Sequence, residues 1–409
     1  MRQGGGGEPP ALPLGEAVLS LLHACFPALS RPVRKTLSLV TVAFLGLLRA
    51  PRGGNGTLSL LALSRVLPLR TTAHSKEKRL HRLLDNARLE PKGITEGLLR
   101  VVVGRRGVGF WPLLVDQTKS GAAQALVAGV PYAGRVMPLS VYTFEYPWLE
   151  RTCGSQNALE EAFLCDLETA MPQSVVPVFV MDRGYARASL LRKSNALRRL
   201  YIIRGREGTR VRHGGRRLKL HDLKVRCGVA VRYRDVLYQD EEQVPVDVVV
   251  YWEPGQKSAW YLLVPPASEA VLGTGEVVAL YRERMQVEHG FRDWKHQLGL
   301  RGLQLQQRIA PRTGRLLMAF CLAYALGVAL GASALAEAAR RSLERPRRKP
   351  RHGTRRVLSV LTMAMLLLWH GRWAQRARQE LCRLVLAARR GSPLMRQAPP
   401  RLAAEAIAG

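Results

Sequence analysis

Acidic side chains are scarce in this chain. Its 409 residues carry 31 Asp+Glu against 63 Lys+Arg, a formal charge of +32, with an isoelectric point near 11.0. An imbalance on that scale excludes a neutral surface and points to a polyanionic partner, with nucleic acid first. Cysteine is sparse too. Cys25, Cys153, Cys165, Cys227, Cys321 and Cys382 are scattered, and no two form a CxxC pair. That argues against a zinc site and a disulfide framework and suits a reducing cytoplasm. Residues 1–10 lack a basic stretch followed directly by an apolar one, so no signal peptide is expected. Long apolar runs are nearly missing as well. Residues 316–336 alone are uncharged over a bilayer-spanning length,. Basic residues flank that run on both sides and no second span accompanies it, so a helix buried on all sides of a domain is expected. The 47% hydrophobic content supports a sizeable core in two or three domains and excludes wholesale disorder.

Against this background residues 281–295 carry the most information. A helix advances about 100° per residue, so Tyr281, Arg284, Glu288 and Lys295 fall at roughly 0°, 300°, 340° and 320°. A phenol, two cations and a carboxylate then line the rim of an apolar stripe made by Leu280, Val287, Phe291, Trp294 and Leu298,. Arg282, Gln286, His289, Asp293 and His296 are expected on the solvated side. A helix that keeps an acid between cations at the edge of its core suits joint binding of a metal and a phosphate backbone.

The texture of the chain divides it into a loose leader (1–30), a helical DNA-binding region (31–95), the first part of an α/β core (96–204), a β-strand insertion (205–275), the second part of the core with the 281–295 helix (276–340) and a basic helical end (341–409). Helices are expected over 33–48, over about 57–66 capped by Thr57, and over 76–85 capped by Ser75, with a glycine-rich turn at 53–56. The 76–85 helix carries Lys76, Arg79 and Arg82. A helix-turn-helix DNA binder and a plain bundle with a solvated basic face both fit this pattern. Strands are expected at 110–115, ending at Asp116, at 136–142, at 175–181, ending at Asp182, and at 200–204, with helices at 156–171 and 186–197 between them. Short strands at 217–220, 224–233, 244–252 and 260–264 follow. The charge run 345–351 reads as a linker or DNA-contacting loop before a helix at 356–370 and a basic tail.

Asp116 and Asp182 are thus each placed after an apolar strand, and Glu288 on a helix. Acids at adjacent strand ends converge on one edge of a sheet. Three carboxylates there can hold two Mg²⁺ ions about 3.5–4 Å apart for phosphodiester chemistry, and hard oxygen donors favour Mg²⁺ or Mn²⁺ over zinc. Glu161, Asp166 and Glu168 read as helix surface charge, Trp252 and Trp294 as core, and Lys119 and Arg135 as basic surface within reach of DNA.

These residues carry a resemblance. Asp116-Gln117-Thr118, Asp182-Arg183-Gly184-Tyr185 and Tyr281-x2-Arg284-x3-Glu288-x6-Lys295 resemble the DDE transposases of bacterial insertion sequences, in particular the insertion-sequence-four family with its Y-R-E-K signature. The resemblance covers about residues 75–330. It implies a ribonuclease-H-like catalytic core interrupted by an all-β insertion, with helical regions at both ends. It further implies that Asp116, Asp182 and Glu288 are the metal-binding catalytic triad, with two Mg²⁺ ions per site and Mn²⁺ able to substitute. Tyr281, Arg284 and Lys295 would grip phosphates beside the cleaved end, with Arg183 a further candidate. Trp260 matches the aromatic that stacks where a base is flipped out for hairpin formation; a tryptophan packed in a strand gives the same residue. Gln117 departs from the small hydroxyl residue that many members have there, and neither end of the chain offers a specific match.

The implied activity is metal-dependent cleavage at transposon ends and strand transfer into target DNA, a cut-and-paste route through hairpin ends. The implied partners are the terminal inverted repeats, target DNA and a second copy of the chain on paired ends, in the bacterial cytoplasm at the nucleoid and away from membranes. The alternatives are a transposase-derived DNA-binding protein lacking catalysis and a basic membrane protein built around residues 316–336.

Overall fold

The computed structural model describes residues 13–48, 58–104, 108–120, 123–145, 154–300, 303, 305, 310–350 and 355–395. The chain begins with helices α1 (Leu14–Cys25), α2 (Arg31–Leu47), α3 (Leu60–Arg65), α4 (Ala73–Leu84) and α5 (Pro91–Val102). Strands β1 (Gly109–Ser120), β2 (Ala123–Tyr132) and β3 (Arg135–Glu145) come next, then α6 (Gln156–Ala170), β4 (Val175–Met181), α7 (Ala188–Ala196) and β5 (Leu200–Arg204). Strands β6 (Arg210–His213), β7 (Arg216–Lys219), β8 (Ala230–Tyr238), β9 (Val244–Tyr251) and β10 (Trp260–Val264) precede α8 (Thr274–Glu283) and α9 (Met285–Arg292). The described chain closes with α10 (Ala310–Gly331), α11 (Ala334–Leu343), α12 (Val360–Trp369) and α13 (Gly371–Arg389). Two compact units result, one from residues 1–105, 296–307 and 315–394, the other from 106–295, 308–314 and 395–409.

The first unit is helical. Residues 14–25 were expected in a loose leader, yet they form α1, because Val18, Leu21, Leu22 and Cys25 recur at helical spacing and bury that face against α13 and α2,. The basic tail expected after the 356–370 helix is itself helical as far as Arg389, since Trp373, Ala377, Leu381 and Val385 make a buried stripe on α13. The expected helix at 76–85 starts earlier, as α4. Its cap is Thr72, whose hydroxyl accepts the Ser75 amide at 3.2 Å, rather than Ser75 itself. Strand texture was expected from residue 96; α5 instead stays helical to Val102, its Leu98, Leu99, Val101 and Val102 buried. The turn at 53–56 and the Thr57 cap lie outside the described residues, and the capping hydroxyl of α3 is that of Ser59.

The uncharged run becomes α10. Its length and composition would allow a membrane crossing, but 94% of its apolar window is buried inside the protein, in keeping with a core helix. At its end Gly331 lies so close to α12 that an added Cβ would sit 1.7 Å from the Val360 carbonyl oxygen. The backbone itself would have to move. Gly331→Ala is therefore expected to destabilise the first unit by about 3 kcal/mol, the upper end for overpacking. Chemical denaturation checks this, and a change below about 1 kcal/mol would mean that the contact relaxes freely.

The second unit is built on one ten-stranded sheet in the order β3-β2-β1-β4-β5-β10-β9-β8-β6-β7. Strands β1, β4 and β5 are parallel neighbours, while β2 and β3 run antiparallel to their partners. The near-continuous apolar runs of β1 and β4 suit central strands covered on both faces. The β2–β3 hairpin turns through Ala133 (φ 50°) and Gly134 (φ 77°), two left-handed residues of the kind that tight hairpins need. The strands of 205–275 do not form a sheet apart. Strand β10 pairs antiparallel with β5 and carries β9, β8, β6 and β7 outward as a continuation of the core sheet.

Candidate active site

Asp116 does not close its strand, as expected from the apolar run before it. Strand β1 continues to Ser120, held there by β2. What ends is the pairing with β4, whose last step joins Val115 to Met181. One residue further on both strands stand Asp116 and Asp182, so the parallel register sets the two acids side by side at the carboxyl edge of β4.

The third acid arrives on α9, which packs on β1, β2 and β3. The single helix expected across 281–295 is broken. It stops at Glu283, turns at Arg284 through short-range bonds (Arg284 N–H to Tyr281 C=O at 3.1 Å, Val287 N–H to Arg284 C=O at 3.0 Å), and resumes as α9. Residues 293–297 then widen into a π turn,. The stripe of Leu280, Val287, Phe291 and Trp294 is buried as expected. The solvated side is not uniform, because the break and the π turn shift the 100° phase. Asp293 is 1% exposed and is ion-paired with Arg135, which takes that arginine out of the loose basic surface.

Arg284 joins the three acids. Its Nη1 donates to Asp116 Oδ2 at 2.8 Å and its Nη2 to Glu288 Oε1 at 2.9 Å, and Nη2 lies 3.9 Å from Asp182 Oδ2. The guanidinium is buried while Glu288 is half exposed. Among the described residues no group of three or more His, Cys, Asp or Glu has metal-holding spacing by itself; the carboxylates meet through the arginine. Burial pushes the Asp116 carboxyl up, opposed by Arg284 and the Gln117 amide, with Asp182 adding to the rise. Burial pulls the Arg284 guanidinium down, but the neighbouring carboxylates, Asp116 first and then Asp182 and Glu288, outweigh it and leave it raised.

Tyr281 is buried beside Arg284, and burial raises its phenol. Its ring meets Trp260 edge-on at 5.2 Å, and Trp260, half-buried on β10, also touches Tyr251 at 5.8 Å. Lys295 is half-buried and Arg183 exposed. Trp294 is core, but Trp252, expected there too, is 38% exposed with its indole N–H donating to the Gln256 carbonyl at 2.9 Å; it stands one residue past the end of β9, where the chain turns toward β10.

Several residues here were not singled out by sequence. Glu160 is 2% exposed and accepts from Gln117 Nε2 at 2.5 Å, Gln156 Nε2 at 2.9 Å and Arg187 Nη2 at 2.6 Å. It thus fixes the residue next to Asp116. The signal was present, because Glu160 shares its helical face with Phe163, Leu164 and Leu167. Tyr185 is buried behind the acids, and burial, then Glu160 and Asp116, push its phenol up. Expected surface acids are ion-paired: Glu161 with Lys193 and Glu168 with the buried Arg199. A cleft of about 600 Å³ opens beside Asp182, lined by Arg183, Arg204, Arg206 and Glu207 among others.

In the first unit a groove of about 510 Å³ is lined by Arg31, Lys35, Arg79 and Arg82. Arg31 and Lys35 were not anticipated there. Lys76 turns away to cap the loop after α3, its Nζ donating to the Leu67 carbonyl at 2.9 Å.

Compared with known families, residues 153–326 match the family described as Transposase DDE domain. The match spans less than half of the chain; it includes Asp182, β4 to β10, and the helices carrying Tyr281 and Glu288 with Arg284 between them, and it begins after Asp116. No curated protein matches the chain. The match supports a DDE transposase, a DNA-acting enzyme of transposition and recombination.

Proposed function

We propose that this chain is a transposase of the insertion-sequence-four type. It cleaves the DNA ends of its element and joins them to target DNA by a cut-and-paste route through hairpin ends. One observation carries the reading: Asp116, Asp182 and Glu288, far apart in sequence, converge on a single buried cation. The parallel strands β1, β4 and β5, with acids at their carboxyl edge, support a ribonuclease-H-like core.

The donor set fits Mg²⁺ or Mn²⁺. All three groups offer hard oxygens, and the guanidinium that joins them marks the place where positive charge is stabilised. Asp116, Asp182 and Glu288 would hold two such ions, which supply Lewis-acid activation of a water or 3′-hydroxyl and of the leaving oxygen. Around them this chain positions DNA. Tyr281, Lys295 and Arg183 offer donors and charge to phosphates beside the cleaved bond, and Arg204 and Arg206 extend that surface along the cleft. Arg79 and Arg82, with Arg31 and Lys35, form a second basic groove suited to the DNA end. Glu160 and Arg187 keep Gln117, and with it Asp116, in place. Work on two ends calls for two copies of the chain, acting on nucleoid DNA in the cytoplasm. The non-catalytic alternative draws no support from an acidic set kept intact and assembled.

The test is Mg²⁺-dependent nicking and strand transfer on the DNA that flanks the reading frame on either side. Cleavage by the wild-type protein supports the proposal; binding without cleavage at any Mg²⁺ or Mn²⁺ concentration favours the alternative. Trp260 gives a finer reading. Stacking one base on an aromatic is worth about 1–3 kcal/mol. Trp260→Ala is therefore expected to slow hairpin formation about tenfold more than the first nick. Equal effects on both steps would leave Trp260 as packing between Tyr251 and Tyr281.

A further inference from the structure

We infer that Arg284 is a built-in counter-ion of the acidic triad that competes with divalent cations for the same oxygens. The inference rests on the proposed reading of Asp116, Asp182 and Glu288 as metal ligands.

Three carboxylates at one sheet edge repel one another unless a cation sits among them. Arg284 supplies that cation from inside the chain. It takes Asp116 Oδ2 at 2.8 Å with one terminal nitrogen and Glu288 Oε1 at 2.9 Å with the other, and it comes within 3.9 Å of Asp182. The guanidinium is 9% exposed against 45% for Glu288, so it lies under the acids and is not a surface side chain folded over them. Its position is fixed by the break between the helices α8 and α9, which turns residue 284 inward between Tyr281 and Glu288.

A guanidinium and a metal ion make incompatible demands on these oxygens. The planar fork donates along fixed N–H directions; it occupies Asp116 Oδ2 and Glu288 Oε1, and its fixed positive charge stands where a cation shared by these acids would sit. A cation that takes Asp116 Oδ2 and Glu288 Oε1 displaces Arg284 from them, so the guanidinium and the metal compete. The assembled triad is held together without metal, at the cost of some metal affinity. Once displaced, Arg284 is free for the phosphate role given to it above. The exchange couples loading of the acids to readiness for DNA.

Titration calorimetry with Mn²⁺ alone, without DNA, tests this on the full chain. Arg284→Met is expected to bind Mn²⁺ about tenfold more tightly than wild type, a coupling of ordinary size. Arg183→Met removes a cation beside Asp182 that lies on the exposed side, and it should change affinity by no more than about twofold, as screened surface charge does. Without metal, Arg284→Met should unfold at a lower temperature than wild type, and Mn²⁺ should raise its midpoint by more. Arg284→Lys keeps the charge but not the fork, and serves if the methionine variant fails to fold; it should also bind Mn²⁺ more tightly than wild type. Equal or weaker Mn²⁺ affinity in the Arg284 variants, or the same gain in Arg183→Met, overturns the inference. The underlying reading fails separately, if Asp116→Asn, Asp182→Asn and Glu288→Gln all bind Mn²⁺ as wild type does.

Discussion

Asp182→Ala and Glu288→Ala are each expected to lower Mg²⁺-dependent DNA cleavage about a thousandfold, because losing an anchor for charge worth about 4 kcal/mol in the transition state costs three powers of ten. Binding to the DNA ends should survive in both, since the phosphate-contacting cations stay in place and their number governs affinity. Nicking of labelled DNA under single-turnover conditions measures the first expectation, and a binding titration at fixed salt the second. Glu288 is half exposed and Asp182 lies past the end of β4, so neither substitution opens a cavity in the core. Cleavage within tenfold of wild type in either variant would remove that acid from the chemistry. Loss of binding together with cleavage would assign it to holding the fold.

The second large effect lies away from the acids. Arg232 and Asp247 are 3% and 2% exposed and pair at 2.9 Å across β8 and β9. Arg232 also donates to the Leu272 carbonyl at 2.7 Å and to Ser268 Oγ at 2.9 Å. Asp247 accepts the Asp235 amide at 3.3 Å, where β8 bulges through a left-handed residue at φ 56°. The pair thus ties two strands to the segment that leads into α8, and so to the placing of Tyr281 and Arg284. Arg232→Met leaves a buried carboxylate without its partner and is expected to cost about 3–5 kcal/mol. The double variant Arg232→Met with Asp247→Leu should recover most of that loss, because it removes the unpaired charge along with the bond. Denaturant midpoints for the three proteins decide the matter. A loss below about 1 kcal/mol in the single variant would mean that water reaches Asp247.

Much of the site was legible because its parts are marked locally. Val175–Met181 is an apolar run that ends at Asp182 and Leu200–Arg204 is one set between arginines, and both appear as strands with the expected limits. The spacing of Tyr281, Arg284 and Glu288 brought these residues to one place even though the helix beneath them is broken, since Arg284 and Glu288 remain four apart and joined at 2.9 Å. What escaped depended on partners distant in the chain. The extension of β1 past Asp116 comes from pairing with β2, a strand the sequence pattern did not mark. Asp293 reads as a surface acid until Arg135 is placed beside it, and Glu160 until Gln117 and Arg187 surround it. The helices at both ends were obscured by composition. Abundant arginine made α13 look like a basic tail, although its small and apolar residues still recur at helical spacing.

Anomalous diffraction from crystals grown with Mn²⁺ tests most directly whether the three acids form one cation site. The expected result is density for manganese between the carboxylates of Asp116, Asp182 and Glu288, with Arg284 moved off Asp116 and Glu288. Manganese bound elsewhere while Arg284 keeps its bonds of 2.8 and 2.9 Å would contradict it.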